Sequence, residues 1–224
     1  MVDPLARVIR SFPKQFWQSL QEQIDTAFAE ALTLAKKYID EPEQPNMLGQ
    51  LRHARCEVGF RNAAQSAGLP PNAFHTERAG SRYSIVKNDG VYLLRANIQA
   101  HCGPPRPTRF RREWASLNKW LDPLQLNFFQ NVDLPPANKL CGLIVVTAYR
   151  NKRLDQSSPA FLGLGIPNKN LSAWHVLKPV NMLLAQYHDI ETGQHTPQEI
   201  AVTVKDRAMP RLKKGLNQSP EAEE

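Results

Sequence analysis

After Ser11-Phe12-Pro13, apolar side chains return at steps of three and four: Phe16, Trp17, Leu20, Ile24, Ala27, Phe28, Ala31, Leu34, Ala35 and Tyr38. This spacing places them on one stripe of an α-helix of about seven turns, with the Ser11 hydroxyl available as a cap and Pro13 in the first turn. The helix is expected to end before Pro42. From Met47 to Ala67 the pattern repeats through Leu48, Leu51, Ala54, Val58 and Ala63, and it closes on Gly68 followed by Leu69-Pro70-Pro71, a glycine cap and then a proline stop. Residues 11–68 therefore predict a helical hairpin.

From Arg82 the period changes to two. Tyr83, Ile85 and Lys87 alternate with Ser84 and Val86, and Asn88-Asp89-Gly90 supplies turn residues before the run Val91–Ile98, which predicts a β-hairpin. Phe110 to Leu121 fits a short helix burying Phe110, Trp114, Leu117 and Leu121, with Arg111, Arg112 and Lys119 facing outward. Leu140–Tyr149 is the most hydrophobic run, β-branched and only ten residues long, as expected of a central strand covered on both faces. Ala160–Ile166, bounded by Pro159 and Pro167, predicts another strand, and Trp174–Tyr187 a helix whose start Pro179 shifts. The resulting expectation is an α/β or α+β fold, a small mixed sheet over 78–208 packed by the N-terminal helical hairpin and further helices. Residues 1–215 are expected to form a single globular domain and 216–224 a disordered acidic tail.

Composition adds a partner to this picture. Residues 1–77 hold 8 Lys and Arg against 9 Asp and Glu, whereas residues 78–220 hold 20 against 9, and the whole chain carries a net charge of +7. Like charges gathered on one surface sum to a potential that draws polyanions, so DNA or RNA is the leading partner. The densest segment is Pro104-Pro105-Arg106-Pro107-Thr108-Arg109-Phe110-Arg111-Arg112-Glu113-Trp114. Guanidinium groups fork onto phosphate oxygens and aromatic rings stack unpaired bases, so Arg106, Arg109, Arg111 and Arg112 are candidate nucleic-acid contacts. Arg150, Lys152 and Arg153, just after the central strand, extend the same surface. Lys205, Arg207, Arg211, Lys213 and Lys214 form a third basic group directly before the acidic tail, which can compete for it.

Several chemistries find no support. Cys56, Cys102 and Cys141 are odd in number and widely spaced, so neither a disulfide framework nor a Cys-x-x-Cys metal knuckle can be drawn. No apolar stretch long enough for a membrane span exists, and the start of the chain has no signal-peptide pattern, which predicts a cytoplasmic protein. There is no zinc-binding His-Glu-x-x-His, no nucleophile elbow, no dinucleotide fingerprint and no Walker loop, so no cofactor and no metal are expected. His53, Glu57 and Arg61, four residues apart in turn, read as a surface ladder on the second helix.

A metal-dependent nuclease of the PD-(D/E)xK type is the enzymatic alternative, using Asp89, Gln99 and His101 across the hairpin. Its acidic shell is incomplete, because Gln99 is neutral and Asp89 is accounted for as a turn residue. A protein-interaction module is the other alternative, with the helix over 13–39 docking a protein partner through Trp17, Phe28 and Tyr38. Bacterial antitoxins and phage-defence complex subunits include many small basic α/β domains, an analogy of size and charge alone.

Overall fold

The computed structural model describes residues 3–75, 82–98, 103–122, 138–151 and 153–192. It has an α/β architecture: six strands in one mixed sheet, ordered β1 (Pro71–His75), β2 (Arg82–Asn88), β3 (Val91–Asn97), β4 (Leu140–Thr147), β5 (Phe161–Pro167) and β6 (Trp174–Pro179). Sequential strands are spatial neighbours throughout. Every pairing is antiparallel except β3 with β4, which run parallel. A parallel pair needs a crossover connection, and here the segment between them carries α4 (Arg109–Ala115) and a 3-10 helix (Ser116–Leu121).

Alternation along β4 explains why the sheet is covered on both sides. Leu140, Ile144 and Val146 join one core with α1 (Pro4–Ser11), α2 (Lys14–Tyr38), α3 (Gln44–Ser66) and α5 (Val180–Thr192). Cys141, Leu143 and Val145 join a second core under α4, with Phe110, Trp114 and Leu117 packed against it. Successive strand side chains point to opposite faces, so a strand buried on both faces has to be apolar at every position. All eight β4 residues are buried.

The larger core is centred on the N-terminal helices. Phe12, Phe16, Trp17, Leu20, Ile24 and Phe60 are fully buried, and the rings of Phe12, Phe16 and Trp17 pack edge-on or tilted at 5.0 to 6.3 Å. Trp17 Nε1 donates to the Tyr187 hydroxyl at 2.9 Å, and that oxygen also lies 3.0 Å from the Ile9 carbonyl. A buried indole and phenol satisfy each other and tie α1, α2 and α5 together. Burial pushes the Tyr187 phenol up to about 12. On the opposite face Asn118 is fully buried and spends its whole amide on backbone. It donates to Cys141 O (2.9 Å) and Pro167 O (2.8 Å) and accepts from Cys141 N (2.8 Å).

The helical hairpin, the β-hairpin and the central strand stand where the sequence predicts them. At the end of α3 the Leu69 amide donates to Ala64 O and the Gly68 amide to Gln65 O, a Schellman closure. Asp89 and Gly90 sit at φ 43° and 72°, which makes the β2–β3 connection a two-residue type I′ turn.

Three expectations need correction, and one proline has a second role. Ser11 does not cap α2: it is the last residue of α1, its hydroxyl is buried without a hydrogen bond, and α2 starts after Pro13 with no side-chain cap. The helix expected from Trp174 is instead the edge strand β6, and α5 begins only after Pro179, the residue that cannot continue a helix from its preceding neighbour. Pro71, read as a helix stop, also opens the edge strand β1, where a missing N–H is tolerated. The Phe110–Leu121 helix tightens to 3-10 geometry after Ala115, and Arg111 turns inward rather than outward. The tail 216–224, the basic group Lys205–Lys214 and Lys152 lie outside the described residues.

Candidate functional site

The parallel pairing decides where the basic segments meet. Because β3 and β4 point the same way, the segments that follow them leave the sheet at one end. One carries Arg106, Arg109, Arg111 and Arg112, the other Arg150 and Arg153. Two basic clusters about forty residues apart in sequence thus share one edge of the molecule, at the carboxyl ends of adjacent parallel strands, the position where open α/β sheets gather ligands.

At the heart of this edge lies a buried ion pair. Arg95 of β3 donates through Nε to Glu57 Oε1 of α3 at 2.9 Å, with side-chain exposures of 1% and 8%. The second carboxylate oxygen accepts the Ser84 amide at 3.0 Å, and Arg61 donates to the Ser84 hydroxyl at 3.0 Å. The remaining Arg95 donors reach Asn97 Oδ1 and His53 Nδ1 (2.5 Å). Since a guanidinium only donates, His53 Nδ1 is the acceptor and its proton sits on Nε2. Burial, then the Arg95 charge, lowers the His53 pKa and keeps the ring neutral. His53, Glu57 and Arg61 are therefore a structural rack reaching β2 and β3, and the surface-ladder reading is overturned at Glu57, which is buried because α3 lies directly on those strands.

Arg111 comes in against this rack from α4. Its pKa is lowered by burial and then by the Arg95 guanidinium; the Glu57 carboxylate opposes this in part, and Arg106 adds to the lowering. Its Nη1 donates to the Arg106 carbonyl at 3.0 Å, and its Nε is buried with no partner among the described residues. Thr108 caps α4 by accepting from the Arg111 amide, which fixes the start of the helix that delivers this side chain. Arg106, Arg109 and Arg112 stay exposed around it, with Arg109 bridging to Glu113 at 3.3 Å.

Beside the ion pair a cleft of about 500 Å³ opens between α2, α3 and the ends of β3 and β4, lined by Phe28, Arg52, Asn97, Ile98, Tyr149 and Arg150 among others. Arg52 lies over the Phe28 ring at 4.7 Å and donates to the Gln156 carbonyl at 2.5 Å, while its Nε has no partner among the described residues. Cys56 also borders the cleft. Burial pushes its thiol up to about 11, so it is protonated at neutral pH and a poor nucleophile.

No protein-family model matches this chain, and comparison with curated proteins and with solved structures finds no match to it either. The site is therefore read from its own geometry.

Among the described residues no group of three or more His, Cys, Asp and Glu side chains is placed to hold a metal ion. Asp89 of the nuclease alternative sits in the type I′ turn, at the amino end of β3 and thus away from the arginine edge. Gln99 and His101 lie outside the described residues. No helix is long and apolar enough to cross a membrane among those described. Of the three aromatics considered for docking, Trp17 and Phe28 are consumed by the core, and only Tyr38 is exposed. Sequence reasoning missed Arg95, Asn97 and Arg52. Only the unusual arginine in the apolar β3 run, Leu93-Leu94-Arg95-Ala96, carried a signal for them.

Proposed function

We propose that this chain binds the phosphate backbone of a nucleic acid at the arginine edge. The observation that carries the reading is the position of Arg111: a guanidinium pressed beside Arg95 and Arg106, its Nε buried and unsatisfied among the described residues. Like charges held together repel, and a buried donor without an acceptor costs about 1–3 kcal/mol. A phosphate oxygen relieves both costs, because it supplies negative charge and an acceptor in one group. Glu57 offsets part of this repulsion, but its oxygens already accept from Arg95 and Ser84, and the Arg111 Nε finds no acceptor among the described residues. Arg106, Arg109, Arg112, Arg150 and Arg153 form the exposed approach, with Lys152 between the last two in sequence.

Binding is expected to be non-catalytic and strongly salt-dependent. Each neutralised phosphate releases counterions, so about six contacts imply a loss of roughly a thousandfold in affinity between 50 and 200 mM salt. A gel-shift titration of DNA and RNA oligonucleotides at those two concentrations measures this, with the charge reversal R106E/R109E/R112E as control. Absence of binding at the lower salt, or full binding by the reversed variant, removes the proposal.

A further inference from the structure

Three aromatic rings form a continuous ladder at the same end of the sheet, on its α4 face. Phe74 of β1 and Tyr83 of β2 are cross-strand partners whose rings stack at 5.9 Å with 22° between planes. Tyr83 in turn stacks on Phe110 of α4 at 3.9 Å and 27°. The Arg111 guanidinium lies 6.0 Å from the Phe110 ring, so one end of the ladder meets the arginine cluster. At the other end β1 is the edge strand among the described residues, and Phe74 is 43% exposed, one of the few large apolar side chains exposed among those residues.

Resting on the phosphate-binding reading, we infer that this ladder selects single-stranded over duplex nucleic acid, with unpaired bases stacking on Phe74 while the phosphates follow Arg106, Arg109 and Arg112. A ring face offers nothing to a duplex, whose bases are already stacked, but it receives any unpaired base through its π surface without regard to sequence. The charge pattern completes the fit. Arg109, Arg111 and Arg112 neighbour Phe110 in the chain, and the Arg111 guanidinium lies 6.0 Å from its ring, so cationic groups accompany the end of the ladder that a phosphate backbone would follow. Phe110 and Tyr83 are half-buried and also support the core beneath α4, whereas the free end of the ladder has no such duty.

The test is fluorescence anisotropy with labelled oligonucleotides of one length and one salt concentration: single strand, duplex, and a single strand with abasic sites. The parent chain should bind the single strand at least tenfold more tightly than the duplex, and abasic substitution should abolish that preference. Phe74→Leu keeps apolar area but loses the ring. It should weaken single-strand binding by roughly five- to a hundredfold, the range for one stacked base, and leave duplex binding unchanged. Phe74→Trp should restore it. Duplex bound as tightly as single strand, or a Phe74→Leu variant with parental single-strand affinity, overturns the inference while leaving the phosphate reading intact if R106E/R109E/R112E still abolishes binding. No binding of any oligonucleotide at low salt overturns both.

Discussion

Replacing Glu57 by alanine isolates the ion pair that organises the arginine edge. In the parent, the Arg95 side chain is 1% exposed and its charge is met at 2.9 Å by the Glu57 carboxylate. Removing the partner leaves a buried cation with neutral acceptors, Asn97 Oδ1 and the Nδ1 and carbonyl oxygen of His53, a change that typically costs about 3–5 kcal/mol. The Ser84 amide also loses its acceptor, which adds about 1 kcal/mol. The sum, about 4–6 kcal/mol, is a large part of the 5–15 kcal/mol that stabilises an ordinary domain. For a chain of this size it corresponds to a fall in Tm of roughly 10–20 °C.

Guanidinium denaturation and calorimetry measure the loss, and a second variant tests its cause. In Glu57→Leu with Arg95→Met both charges leave together, so stability should recover by several kcal/mol relative to Glu57→Ala. A Glu57→Ala variant within about 1 kcal/mol of the parent, or a double variant no more stable than the single one, would refute the claim that an uncompensated buried charge is what Glu57 prevents.

Two further outcomes follow from named contacts. His53 has a lowered pKa in the free protein, so the unfolded chain takes the proton first and stability falls as pH drops below about 6.5. A bound phosphate favours the protonated ring, so oligonucleotide affinity should rise over the same range, seen by anisotropy at about pH 5.5 against 7.5. Unchanged pH dependence in His53→Gln would assign the effect elsewhere. Gly165 faces the Trp174 ring, where an added Cβ would come within 2.3 Å of Cζ3, and the Trp174 Nε1 bond to Gly103 O (3.1 Å) holds that ring in place. Gly165→Ala should therefore cost about 1–3 kcal/mol by thermal denaturation, and a neutral result would mean the ring swings away freely.

The elements that could be read from sequence are those whose pattern is local. Three-four spacing marks α2 and α3, Asn88-Asp89-Gly90 marks the β-hairpin, and the apolar run marks β4. Helix α1 was not read from the sequence, although its Asp3-Pro4 start carried a signal: the Asp3 side chain accepts from the Leu5 amide with Pro4 at the first turn. Its eight residues gave too little periodicity to stand out. Strand β6 was misread because a short apolar run fits either type, and only its pairing with β5 decides. At the site, the exposed arginines were visible as charge density. The rack beneath them was not, because Glu57 and Arg95 are brought together by the packing of α3 on β3, and no spacing rule within one element reports the burial of a residue on another.

The lone parallel ladder between β3 and β4 also has a consequence for how the molecule comes together. Its antiparallel neighbours are joined by short connections, whereas β3 and β4 must close the chain from Ile98 to Lys139 before a single bond between them forms. Loop-closure entropy makes such a pairing a late event in folding. The arginine edge straddles that seam, taking Arg95, Arg106 and Arg111 from one side and Arg150 from the other. Nascent or half-assembled chains thus carry the same charges without the constellation that the closed seam brings together.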